Sequence, residues 1–358
     1  MANKIKTNLT IKYPKNVAFG FESTWRLTNK RLQDMYDSIH HRSDGYIDVA
    51  ILKNNKRFMN AFGKLTCFSP LDNDPHNIEI PTLKLTNKNK LIDEFGKLST
   101  LMTRSGFIES SKSHNNNLEG GGHIHIDFLG IFGDLGYNND YKYTDHIKRY
   151  GRFYGFSDRN RLTNFNYTKF NDNKEEINHI FALFTHNMFT YVLNNPWLPW
   201  AFNAPVDNDN AKLYVANNFA QNIRDIEKEG LQLTRKLTID RKTYAVTLRP
   251  DLGTFEFRFY SMPKTPSELS FIIDLTRAYH KHCFNLTMAG IKLKPIYSNN
   301  EYLGKLLTKI KISTCIKGLE NMCKDLGMDF SKIEKFGFID NLEMRYAYQN
   351  NDNITMLN

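Results

Sequence analysis

Apolar residues along this chain fall into two rhythms. The first has a period of two. In "NVAFGFEST" (16–24) an apolar run carries Gly20 and Glu22, which predicts a strand. "GYIDVAIL" (45–52) alternates in part and predicts a second. "HNIEIPTLKL" (76–85) predicts a third, with Pro81 marking its end or an edge. "GGHIHIDFL" returns to strand. "RKTYAVTLRPDLGTFEFRFYS" (241–261) holds two β-rich runs around Pro250-Asp251-Leu252-Gly253, which predicts a hairpin.

The second rhythm is helical. "KNKLIDEFGKLSTLMTRSG" (88–106) places Leu91, Ile92, Phe95, Leu98, Leu101 and Met102 at helical spacing, and Gly106 stops it. "KEEINHIFALFTHNMFTYVLNN" (174–195) predicts a helix with acids in its first turn. "NPWLPWAFNAP" (195–205) must break it, as a packed connector in which Trp197 or Trp200 could also meet a substrate. "TPSELSFIIDLTRAYHKHCF" opens a further helix, with Thr265 as N-cap, Pro266 at the first helical position and Glu268 closing a capping box. A Lys-rich helical tail spans 301–336, residues 136–173 are polar and loop-dominated, and no internal repeat is present. Strands and helices are mixed, with sequential strands expected antiparallel, so the predicted class is α+β.

Composition narrows this picture a little. At 358 residues the chain can bury a large core. Its formal net charge of +10 suits nucleic acid, an acidic surface or phosphorylated ligands, or a surface where Lys is simply common. The charge is spread, with no basic run. None of the four cysteines has CxxC spacing, which speaks against a zinc knuckle or redox pair and for reduced thiols. The N-terminus is too polar for a signal peptide, and no apolar run reaches the roughly 18 residues of a membrane span. The expected location is the cytoplasm.

The alternating runs also carry the candidate chemistry. Residues two apart in a strand share a face. His123, His125 and Asp127 therefore project together, and Ile124, Ile126 and Phe128 project to the core. Imidazole suits divalent metals and can meet phosphate. The glycines at 120–122 permit a tight turn and a ligand close to the chain. The competing reading is two histidines on a solvated face. In "TFEFRFY", Thr254, Glu256, Arg258 and Tyr260 share one face, opposite Phe255, Phe257 and Phe259. Glu256 offers a hard oxygen for Mg²⁺, and Arg258 a planar fork for phosphate or carboxylate. The competing reading is a surface Glu–Arg pair. Glu22, flanked by Phe19, Phe21 and Trp25, needs a ligand, a partner charge or water. Glu79 sits in a similar setting, and also reads as an ordinary edge-strand acid.

Together these motifs resemble the amidoligases, carboxylate–amine ligases of the glutamine synthetase-like fold, and their branch frequent in phage genomes. "FGFES" is similar to the first strand, usually Gly-x-Glu-x-Glu. "NIEIPTLKL" resembles the strand where a Glu precedes a proline. "GGGHIHID" is similar to Gly-x-His-x-His, and "GTFEFRFY" to the closing Thr-x-Glu-x-Arg. "TPSELSFIIDLTRA" resembles the helix that follows. The match runs in order over about 16–285.

The resemblance implies a curved, mainly antiparallel sheet carrying the active site, with helices on its other face. It implies a catalytic domain over 1–290, with a polar insertion at about 136–173 and a helical one at about 174–230. A C-terminal helical extension would fill 291–358. It implies ATP and Mg²⁺ or Mn²⁺ as cofactors, a small-molecule or peptide carboxylate and an amine as substrates, and an amide or isopeptide bond made through an acyl phosphate. The implied cation ligands are Glu22, His123 and Glu256, with Glu79 serving a second cation. Glu256 and Arg258 would be catalytic. His125, Gly121 and Gly122 would line the nucleotide, and either Arg235 or Arg241 would contact phosphates. One departure stands out: Thr24 occupies the place of the second acid. A degenerate member of the fold that only binds, such as a virion-associated protein, remains an alternative reading. So does a nucleic-acid binder using "HIKRYGRFYGFSDRNR" (146–161).

Overall fold

A computed structural model of the chain describes residues 9–27, 50–69, 72–74, 77–109, 121–128, 131, 174–202, 245–249, 254–294, 296 and 310–350. Seven strands among them form one sheet in which every pairing is antiparallel. In chain order they are β1 (Phe19–Leu27), β2 (Asp72–Asp74), β3 (Asn77–Pro81), β4 (Phe107–Glu109), β5 (His123–Asp127), β6 (Val246–Arg249) and β7 (Thr254–Phe257). Across the sheet the order is β2-β3-β1-β5-β7-β6, with β4 pairing the far end of β1. The helices are α1 (Ala50–Asn54), α2 (Lys56–Phe62), α3 (Lys88–Arg104), α4 (Lys174–Asn194), α5 (Trp197–Phe202), α6 (Pro266–Met288), α7 (Ile312–Leu326), α8 (Ser331–Lys335) and α9 (Phe338–Asn350). The class is α+β.

The odd positions of β1 and the even positions of β5 drive the packing. Phe19, Phe21, Trp25, Ile124, Ile126, Phe255 and Phe257 are all buried. Their partners come from the helices. Phe21 meets Phe95 of α3 edge-on at 5.7 Å, Phe184 of α4 meets Phe255 at 5.3 Å, and Phe257 meets Tyr279 of α6 at 5.3 Å. Each such ring stabilises the fold by about 1.5–3 kcal/mol relative to exposure. The helices thereby hold the sheet from one side and leave its other face for chemistry.

The helix ends follow local rules. Thr265 Oγ1 accepts from Glu268 N at 3.1 Å, and Pro266 opens α6. Glu268 Oε2 accepts from Lys264 N at 2.8 Å, one residue before the cap, so the capping box reaches a little further back than its usual form. Gly106 takes φ +86 just after α3, a value that favours glycine.

One expected strand is corrected. Of 45–52, the described residues 50–52 begin α1, and α2 follows at once. Asn55 Oδ1 accepts from the backbone N–H groups of Arg57 and Phe58, and Phe58 and Phe62, four apart, are both buried. These fix α2, which follows α1 directly.

The tail helices α7, α8 and α9 share the core with α5 and α6. Phe338 lies 4.1 Å from Phe202, ring centre to ring centre, and Gly318 lies against the Trp197 indole. All four cysteines are buried and unpaired as thiols. Among the described residues no helix is long and apolar enough to cross a membrane. The polar stretch 136–173 and the basic–aromatic segment 146–161 lie outside the described residues.

Candidate active site

Register assembles the site. Glu22 lies directly across from His123, and Gly20 from His125. His125 lies across from Glu256, and Asp127 from Thr254. On the other side of β1, Thr24 faces Glu79. Directly opposed residues share a face. Glu22, Glu79, His123, His125, Asp127 and Glu256 therefore occupy one face, opposite the apolar one.

Their side chains converge. Glu22 Oε2 lies 3.2 Å from His123 Nδ1, and Glu22 Oε1 lies 3.1 Å from His125 Nε2. One carboxylate thus bridges both imidazoles. His123 Nδ1 is also 3.5 Å from Glu256 Oε1. His125 is oriented from behind by Thr254 Oγ1, 3.1 Å from its Nδ1. A neutral His125 that donates from Nε2 and accepts the Thr254 hydroxyl at Nδ1 meets both contacts. Two ligand sets result: Glu22, His125 and Glu256, and Glu22, Glu79 and His123. In each set one donor atom per residue lies within 4.8 Å of the others.

The face is covered rather than solvated. His123, His125, Asp127 and Glu256 are all buried, with Glu256 only 1% exposed. This removes the readings of histidines on a wet face and of a surface Glu–Arg pair. Burial alone would raise the Glu22 carboxyl, but the His125 and His123 rings outweigh it and hold it well below the usual carboxylate range. Burial, and then the Arg258 charge, push the His123 ring down against the opposing pull of Glu22 and Glu256. The outcome is an ionised Glu22 carboxylate beside a His123 ring held toward its neutral form.

Arg258 stands just past the end of β7. Its backbone N donates to Ala245 O at 2.8 Å, and its guanidinium pairs with Glu256 Oε1. Tyr260, expected on the same face, is corrected. The strand ends at Phe257, the chain turns, and Tyr260 is buried with its hydroxyl accepting from Thr276 of α6 at 2.8 Å.

The glycines make room for the protein's own backbone. Gly122 N donates to Tyr260 O at 3.1 Å. A Cβ on Gly121 would come within 2.6 Å of Tyr260 O, and one on Gly122 within 3.1 Å of Ser261 O. Thr24 adds a third tie, its hydroxyl donating to Gly121 O at 3.0 Å. Arg235 and Arg241 lie outside the described residues. Two residues escaped the sequence reading. Thr82 Oγ1 accepts from Phe21 N at 2.8 Å, and Lys84 Nζ lies 2.6 Å from Asp127 Oδ2.

No family model matches the chain, and no curated protein matches it. Among solved structures it is similar to one described as the crystal structure of a novel glutamine synthase homolog. That match has 11% identity and a TM-score of 0.45, covering 92% of this chain and 66% of that one.

Proposed function

We propose that the protein is an ATP- and Mg²⁺-dependent carboxylate–amine ligase of the amidoligase type. The observation that carries the reading is the convergence of Glu22, His123, His125 and Glu256 from three strands onto one buried face, with Arg258 beside them.

The donor set fits a divalent cation. The two carboxylates suit Mg²⁺ or Mn²⁺, and the imidazole favours Mn²⁺, since Mg²⁺ prefers oxygen. Glu22, His125 and Glu256 would hold one ion, with His123 in reach. Glu79 would serve the outer position. Bound Mg²⁺·ATP would supply the phosphoryl group that converts a carboxylate to an acyl phosphate, releasing ADP. An amine then displaces phosphate and sheds one proton, leaving an amide. The protein's part is positioning and charge. Arg258 offers its fork to phosphoryl oxygens, held in place by Glu256. The helix-packed sheet keeps the ligands rigid, and burial keeps water away from the reacting groups.

The test is a calorimetric titration of Mg²⁺·ATP and Mn²⁺·ATP into the protein and into Glu256→Gln. Gln keeps the volume and removes the charge. The expected result is binding by the parent protein that the variant loses, with unchanged circular dichroism. Equal binding by both would refute this ligand assignment, and binding by neither would refute the ligase reading.

A further inference from the structure

The helical side of the molecule carries a groove of its own. Ala61 of α2, Ile92 and Leu101 of α3 and Pro266 at the start of α6 form its apolar floor. Gly96, midway along α3, adds no side chain to it. Ile92 and Leu101 are half-buried, packed against the core while they also line the groove. The cavity volume is about 650 Å³, within the usual span of ligand clefts. The lining stretch of α3 runs from Ile92 to Arg104. That is roughly 18 Å at the rise of a helix, the length of about three helical turns.

The rim carries one sign of charge. Asp93 and Lys97 neutralise each other at 2.6 Å, both exposed. The other acids of these elements turn elsewhere: Glu94 accepts from Thr66 and from Cys67 N, and Glu268 accepts from Lys264 N. Four exposed cations are left. Arg104 lines the groove, Arg57 and Lys64 lie one turn either side of Ala61, and Lys264 stands two residues before Pro266. None of the four side chains forms an ion pair among the described residues. Among those residues no aromatic ring lines the floor, so nucleic-acid bases find nothing to stack on. A chain with aliphatic side chains on one face and carboxylates beside them matches both floor and rim.

We propose that this groove docks an acidic amphipathic helix of a partner protein, about three turns long. Its aliphatic side chains would rest on Ile92 and Leu101, and its carboxylates would meet Arg104, Arg57, Lys64 and Lys264. The proposal does not depend on the ligase reading.

The test titrates the full-length protein into a fluorescent peptide of about twelve Glu and Leu residues, with the leucines spaced to share one helical face. Anisotropy is read at roughly physiological salt. A peptide of the same composition with scattered leucines is the control. The expected result is binding of the first peptide and at least tenfold weaker binding of the second. Thr100→Glu combined with Arg104→Glu reverses the field at two exposed helix positions and should weaken binding at least tenfold, with unchanged circular dichroism. The same net charge change made by Lys317→Glu on α7 with Asn321→Glu, outside the groove, should leave binding intact. Absent binding, equal binding of the scattered peptide, an unaffected groove variant or an equal loss in the α7 variant would overturn the proposal. Sedimentation of the protein alone and competition by oligothymidylate identify other occupants. A dimer that the groove variant dissolves would assign the groove to a second copy of this chain. Displacement of the peptide by oligothymidylate, lost in the groove variant, would assign it to nucleic acid. Either result would also overturn the proposal.

Discussion

Thr24 faces Glu79 across the β1–β3 ladder, and its hydroxyl donates to Gly121 O, 3.0 Å distant. Thr24 thereby ties β1 to the segment that leads into β5. Its role is therefore positional. Thr24 is 1% exposed, so its hydroxyl meets the Gly121 carbonyl inside the protein rather than in water. Thr24→Val keeps the shape and removes the donor. We expect a loss of about 1–3 kcal/mol, the usual cost of leaving a buried acceptor short of a partner. Urea denaturation measures it. An unchanged midpoint would show that Thr24 holds nothing in place.

Acid should weaken the fold through its buried imidazoles. Burial lowers His280 to about 3, and His123 is pushed down as well. The sign follows from the unfolded chain, whose histidines take up protons near pH 6.5. Below that pH the unfolded state gains a proton that folded His280 refuses until about pH 3. Stability therefore falls across this window, by roughly 1.4 kcal/mol per pH unit for such a group. Glu22 adds a further loss at lower pH, below the ordinary carboxylate range, because its folded form stays ionised there. His280 Nδ1 meets Tyr13 OH at 2.9 Å, and its ring stacks edge-on with Phe184. His280→Phe preserves the ring contacts and removes the titration. Urea midpoints between pH 4 and 7 should then vary less with pH than in the parent. Parallel curves for the two proteins would mean that His280 is not the sensor.

The alternation in β1, β5 and β7 was legible because period two assigns faces without any knowledge of neighbours. Glu22, His123, His125 and Glu256 were placed on a polar face in that way, and the four do share one. What alternation cannot supply is register. Nothing in "FGFES" says that Gly20 lies opposite His125, or that Glu22 reaches both histidines. Nor can it say that the polar face is itself buried, since cover comes from elsewhere in the fold. The errors share one cause. Residues 50–52 continue an alternating pattern in sequence but lie in α1, and Tyr260 continues one after the strand has ended at Phe257. Lys84 was passed over because a lone lysine carries no pattern; only the tertiary contact with Asp127 gives it meaning.

The tail offers a test of packing remote from the cluster. Gly318 of α7 lies so close to Trp197 that a Cβ would overlap the indole ring. The atoms in the way belong to the fused indole ring, which must shift as one rigid body. Gly318→Ala should therefore cost about 1–3 kcal/mol, as overpacking does. It should also shift the Trp197 fluorescence. A fully stable variant would mean that the tail undocks from α5 at little cost.

Glycines on the site face divide by what surrounds them. A Cβ on Gly121 would be 2.6 Å from the Tyr260 carbonyl oxygen, which is backbone and cannot swing aside. Gly121→Ala should destabilise the protein and disturb His123, which follows two residues later. A Cβ on Gly20 would meet only ordinary contacts, 3.7 Å from His125 Cβ and from Thr82 Oγ1. Gly20→Ala should fold normally, because a strand position accepts alanine without strain. The urea midpoint should hold in Gly20→Ala, whereas Gly121→Ala should lower it. Equal midpoints in the two variants would mean that the backbone at Tyr260 yields to an added methyl at little cost.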